Sequence, residues 1–196
     1  VIDVDSKPTG TLNAPIPLKQ AGYINAETAA ALLMHDEAWF TGNAIIFRRA
    51  PLLAVGGFPE DLAAFTDGYV CRLLAVKYGS CYVPEVLIAW RRMEGSFSWT
   101  CTEDTVLAGK LAVRAEALMR ENGALFAAGY PERWKRRYLF GAHRLALTSA
   151  RRTARSKSPF HFLLALVREV AGTAWLFATL RPHDIFAVLR RRLARR

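Results

Sequence analysis

The residue types able to do chemistry gather in the first hundred positions of this 196-residue chain. Asp67 stands ahead of Val70, Leu73, Leu74 and Val76, whose spacing predicts a helix over Asp67 to Tyr78. Gly79 falls where a left-handed C-cap is expected. A carboxylate at the mouth of a helix is held rigidly, faces open space and can take a proton from a hydroxyl that would not ionise near neutrality. An ordinary first-turn acid, stabilised by the helix dipole, occupies the same place. Gly56-Gly57 supplies a tight turn that a Cβ would obstruct, or a plain helix C-cap. Gly42-Asn43 punctuates the passage from loop to strand. Arg72 buttresses its helix or pairs with a nearby acid, and Arg91 or Arg92 suits a diphosphate, with a solvated strand end as the other reading of Arg92.

The elements that must position these residues follow from the pattern of apolar and turn-forming residues. Val1 to Val4 reads as the end of a strand and Asp5 to Gly10 as the turn after it. A helix is expected from Ala26 to Asp36 with Asn25 as N-cap, and a β-rich run from Asn43 to Arg48. Pro51 to Val55 predicts one helical turn ending on Gly56-Gly57. Two short strands, Cys81 to Val83 and Val86 to Trp90, flank Pro84-Glu85. Helices follow over Thr102 to Glu121 and Glu132 to Arg155. The expected class is α/β, a body of strands and helices with a mainly helical extension.

Hydrophobic residues make up 52% of the chain, enough for a packed core. Three cysteines, Cys71, Cys81 and Cys101, lack CxxC spacing; they suit a reducing compartment, and Cys71 and Cys81 are expected in the core. The net charge of +10 is uneven: residues 1–150 carry 16 Lys/Arg and 15 Asp/Glu, residues 151–196 carry 11 Lys/Arg and two acids. Basicity therefore belongs to the tail and says nothing about the chemistry of the body. Phe160 to Leu180 is nearly apolar, but Arg168 and Glu169 interrupt it, at a cost of roughly 2.5–3.5 kcal/mol for a charge at mid-bilayer. It is expected to lie on a membrane surface or pack against a partner, with Arg190 to Arg192, Arg195 and Arg196 facing anionic headgroups. The chain opens on Val1 in mid-pattern, with no basic segment leading into an apolar run, which suggests a fragment.

Five blocks in order carry a resemblance. They are Thr41-Gly42-Asn43-Ala44-Ile45-Ile46-Phe47-Arg48-Arg49, Val55-Gly56-Gly57-Phe58-Pro59-Glu60-Asp61, Phe65-Thr66-Asp67-Gly68-Tyr69-Val70-Cys71-Arg72, Tyr82-Val83-Pro84-Glu85-Val86, and Trp90-Arg91-Arg92-Met93-Glu94-Gly95-Ser96-Phe97-Ser98. Together they resemble the second half of family 2 glycosyltransferases, over residues 1 to about 100. The resemblance implies a partial GT-A (Rossmann-like) sheet with helices, followed by a helical C-terminal extension. It divides the chain into an acceptor-side part (1–100), a helical extension (101–155) and an apolar, basic tail (156–196).

The function so implied is that of an inverting enzyme moving a sugar from a nucleotide-sugar donor to a saccharide, lipid-linked or protein acceptor. Asp67 is then the general base, matching the second acid of the family's Glu-Asp pair, with Thr66 in place of the first. Gly42, Asn43, Gly56, Gly57, Thr66, Arg72, Arg91, Arg92 and Ser96 are the expected donor- and acceptor-binding positions. Met93 stands where many relatives carry His; a thioether is a poor ligand for Mg²⁺ or Mn²⁺, so diphosphate release falls to the arginines and the Ser96/Ser98 loop or the metal is held otherwise. Asp3-Val4-Asp5 matches the metal-binding Asp-x-Asp of this fold in letters. A nucleotide site, however, requires a preceding βαβ unit. Asp3 and Asp5 are therefore not expected to bind metal, and the ligands for Mg or Mn are expected upstream. The expected location is cytoplasmic, peripheral to the inner face of the membrane. The competing expectation is a non-enzymatic basic module for membrane surfaces or nucleic acid. Its weakness is that aromatics do not interleave with basic residues as a single-strand groove requires, and no nucleic-acid partner is expected.

Overall fold

A computed structural model describes residues 1–10, 16–35, 39–91 and 93–154, together with Leu163, Val167, Val170, Ala171 and Ala174. Strand β1 (Gly22–Ile24) leads into α1 (Ala26–His35), and α2 (Arg49–Ala54) and α3 (Thr66–Tyr78) follow before β2 (Ser80–Tyr82). The rest is helical: α4 (Phe97–Glu103), α5 (Thr105–Glu121) and α6 (Tyr130–Ala154). The two strands form one small antiparallel sheet, with Gly22 opposite Tyr82, Tyr23 opposite Cys81 and Ile24 opposite Ser80. The class is thus mixed, helices with a two-stranded sheet.

Local chemistry accounts for most element ends. Asn25 Oδ1 accepts from the Thr28 amide at 2.8 Å, so α1 begins where its cap predicts. Helix α2 closes as Gly56 N donates to Leu53 O and Gly57 N to Leu52 O, both at 3.0 Å. These glycines have φ of +86° and +74°, and an added Cβ on either would meet nothing within 4 Å. The turn therefore requires glycine for its backbone conformation, not for space as the sequence suggests. The single long helix expected over Thr102 to Glu121 is instead broken at Asp104. Its Oδ1 accepts from Val106 N (2.9 Å) and Leu107 N (3.0 Å), capping α5 afresh.

Two expected strands do not form. Asn43 to Arg48 holds a 3-10 turn (Gly42–Ala44) and then unpaired chain, with Ile46 99% exposed. Val86 to Trp90 likewise joins no strand. Both runs have strand composition, but β-propensity is expressed only against a neighbouring strand, and among the described residues none lies beside them except Ile2 at the Trp90 end of the second. Cys71 is buried as expected, whereas Cys81, in the middle of β2, is exposed.

Helix α3 is the centre of the molecule. Tyr69, Val70, Cys71, Leu73, Ala75 and Val76 are all buried, covering most of its circumference. Around it a single core takes in Ile24, Leu33 and Leu62 from one side and Ala112, Met119 and Trp134 from α5 and α6. Each fully buried aliphatic side chain contributes about 1.5–3 kcal/mol. Because the core runs through both the first hundred residues and the helices after them, α5 and α6 help to hold α3 in place. Across α5 and α6, Glu116 accepts from Lys135 at 2.5 Å and from Arg120 at 3.2 Å, and Arg120 also pairs with Glu132.

Candidate functional site

The site is assembled around the first turn of α3. Phe65, the residue before the helix, is wedged into α6: its ring stacks on Trp134 with centroids 4.6 Å apart and tilts against Tyr138 at 5.4 Å. That anchor fixes where Thr66 and Asp67 begin the helix. The Asp67 carboxylate then turns back on its own helix end, with Oδ1 accepting from the Gly68 amide at 2.6 Å. Its other oxygen, Oδ2, lies directly against Gly42, so that any Cβ on Gly42 would overlap it. Gly42 is glycine because the carboxylate occupies the side-chain position. The 3-10 turn and the mouth of α3, 25 residues apart in the chain, are thereby brought into one place.

Arg72 secures this turn from the next one. It is buried (8% exposed), and its Nη1 donates to Gly68 O at 2.6 Å while Nε donates to Tyr130 Oη at 3.1 Å. Its guanidinium lies over the rings of Phe40 and Phe65, 5.5 and 5.3 Å from their centroids. Of the two roles open to Arg72 from sequence, the buttress is the one seen. Gly68 is confined as well, since a Cβ there would meet the Phe65 ring at 2.7 Å. Burial, then the nearby Asp67 charge, push the Cys71 thiol up to about 12, so it stays protonated and unreactive.

The other expected site residues are dispersed. Asn43 is exposed in the 3-10 turn beside Gly42, and the Thr66 hydroxyl is buried with no hydrogen-bond partner among the described residues. Gly56 and Gly57 end α2, which packs on α3, but they do not touch the carboxylate. Arg91 is committed elsewhere: Nη1 donates to Val4 O at 2.6 Å and Nη2 to Ser6 Oγ at 2.8 Å, fastening the N-terminal hairpin. The side chain expected at a diphosphate is thus seen as a clamp on the N-terminal segment. Ser96 Oγ donates to Met93 O at 2.9 Å and precedes α4. Arg92 lies outside the described residues.

Asp3 Oδ1 accepts from the amides of Asp5 and Lys7, both at 2.9 Å, so this carboxylate closes its own turn. Among the described residues, no group of three or more His, Cys, Asp or Glu side chains could hold a metal ion. Phe40, Phe65, Gly68 and Tyr130 shape the site without being distinguished by sequence reasoning. The Asp-Gly pair is a local signal for Gly68; Tyr130 is 58 residues from Arg72 and gives none.

Among the described residues, no helix is long and apolar enough to cross a membrane. Comparison of the chain with protein-family models, with curated proteins and with solved structures found no match in any of the three.

Proposed function

We propose that this chain is the acceptor-side part of an inverting glycosyltransferase of the family 2, GT-A type, with Asp67 as its general base. The observation that carries the proposal is the meeting of Asp67 with Gly42. Two blocks that sequence resemblance alone relates are joined around one carboxylate, and Arg72, at the end of the block that holds Asp67, braces the helix turn beneath it. The Gly68 amide donates to Asp67 Oδ1 and so fixes where the carboxylate stands at the mouth of α3. In the reaction, a hydroxyl of a saccharide, lipid-linked or protein acceptor gives its proton to Asp67 as its oxygen attacks the anomeric carbon. The nucleoside diphosphate departs from the opposite face, which inverts that carbon.

The resemblance assigns the nucleotide-binding strands, and the ligands of the Mg or Mn that family members use, to polypeptide N-terminal to Val1. The basic tail, residues 156–196, is assigned to an anionic membrane surface on the cytoplasmic side. Its described residues, Leu163, Val167, Val170, Ala171 and Ala174, are helical, exposed and spaced to share one face.

The test uses the full gene product with a panel of UDP-, GDP- and dTDP-sugars, Mg²⁺ or Mn²⁺ and membrane extract as acceptor. Release of nucleoside diphosphate is the readout. Asp67→Asn should lower turnover by about 10²–10⁴-fold with the thermal midpoint kept. Undiminished turnover in that variant would remove Asp67 from the mechanism.

A further inference from the structure

The exposed run Val86-Leu87-Ile88 is out of keeping with its surroundings. Three consecutive apolar residues put apolar groups on both faces of an extended chain, the pattern of a strand buried inside a parallel sheet. Here they are 80%, 69% and 40% exposed. An apolar, unpaired edge of this kind invites pairing with another strand.

The direction of that pairing is already set at one end of the run. Ile2 forms an antiparallel bridge to Pro8 on one side and a parallel bridge to Arg91 on the other, and Ile2 N donates to Trp90 O at 2.9 Å. Arg91 holds the same place with its side chain, through Val4 O and Ser6 Oγ. In a parallel ladder both chains advance together. With Ile2 opposite Arg91, Val1 faces Trp90, and a chain that continued this ladder N-terminally from Val1 would face Ala89, Ile88, Leu87 and Val86 in turn.

We infer that the run Val86 to Trp90 is the seat of a parallel β-strand supplied by polypeptide directly N-terminal to Val1, continuous with the bridge at Ile2. The strand is apolar, because the residues it meets are. Main-chain hydrogen bonds give the pairing its strength, and the register from Ile2 gives it its specificity. The inference rests on the bridge and the exposure, and it stands or falls apart from sugar transfer.

Hydrogen exchange on two proteins tests it: the natural gene product, its N-terminus fixed by mass spectrometry, and the chain from Val1 to Arg196. Amides from Val86 to Ala89 should exchange at least 100-fold more slowly in the natural product. In the shorter chain they should exchange freely at every concentration. Leu87→Asp should lower the melting temperature of the natural product by several degrees and leave that of the shorter chain unchanged. Equal exchange in both proteins, a natural product that begins at Val1, or protection of the shorter chain that grows with concentration would each overturn the inference; the last would make a second copy the occupant.

Discussion

At the scale of single residues, the site depends on a hydrogen atom standing where a side chain would otherwise be. Gly42 leaves the space that the Asp67 carboxylate fills, so Gly42→Ala forces that carboxylate out of its position. The variant should keep its fold, since the 3-10 turn is at the surface, and lose turnover nearly as far as Asp67→Asn. The check is the proposed transfer activity beside a thermal melt: transfer unchanged by Gly42→Ala would show that the contact is incidental. Asp67 and Gly42 are legible in the sequence because their motifs are local. The companions of Arg72 are not. Phe40, Phe65 and Tyr130 are selected by packing across the chain, and spacing along the sequence holds no record of it.

At the scale of elements, helices are legible in the sequence and strands poorly so, for a physical reason. A helix satisfies its backbone from within, so caps such as Asn25 and Asp104 mark it in the sequence. A strand needs a neighbour. Ala44 to Phe47 and Val86 to Ala89 have strand composition without one, while Gly22–Ile24, which composition does not mark, pairs because α3 delivers β2 beside it. The union of α5 and α6 carries a pH dependence of its own. Burial pushes the Glu116 carboxyl up, but its hydrogen bonds and charge pairing with Lys135 and Arg120 outweigh this and hold it below its ordinary value of 4.5. A depressed folded pKa contributes stability in full above the unfolded value and loses it as pH falls through the folded one. Melting temperature should therefore drop more steeply below about pH 4.5 in the wild type than in Glu116→Gln. Parallel curves would mean that the pair contributes nothing to acid sensitivity.

At the scale of the whole molecule, charge and fold are separable. The body, residues 1–150, is nearly neutral, and the last 46 residues hold most of the net positive charge. Co-sedimentation with phosphatidylglycerol vesicles should be strong at low salt, fall in 0.5 M NaCl and vanish on truncation after Ala154, with the melt of the body unaltered. Binding that survives truncation would place the lipid contact on the body. The three cysteines add a practical consequence. Cys71 and Cys101 are enclosed and Cys81 stands open on β2, opposite Tyr23. The wild-type chain thus carries one addressable thiol without engineering. A maleimide dye placed there sits five residues before Val86, and its emission gives a continuous optical signal of when that side of the molecule is covered.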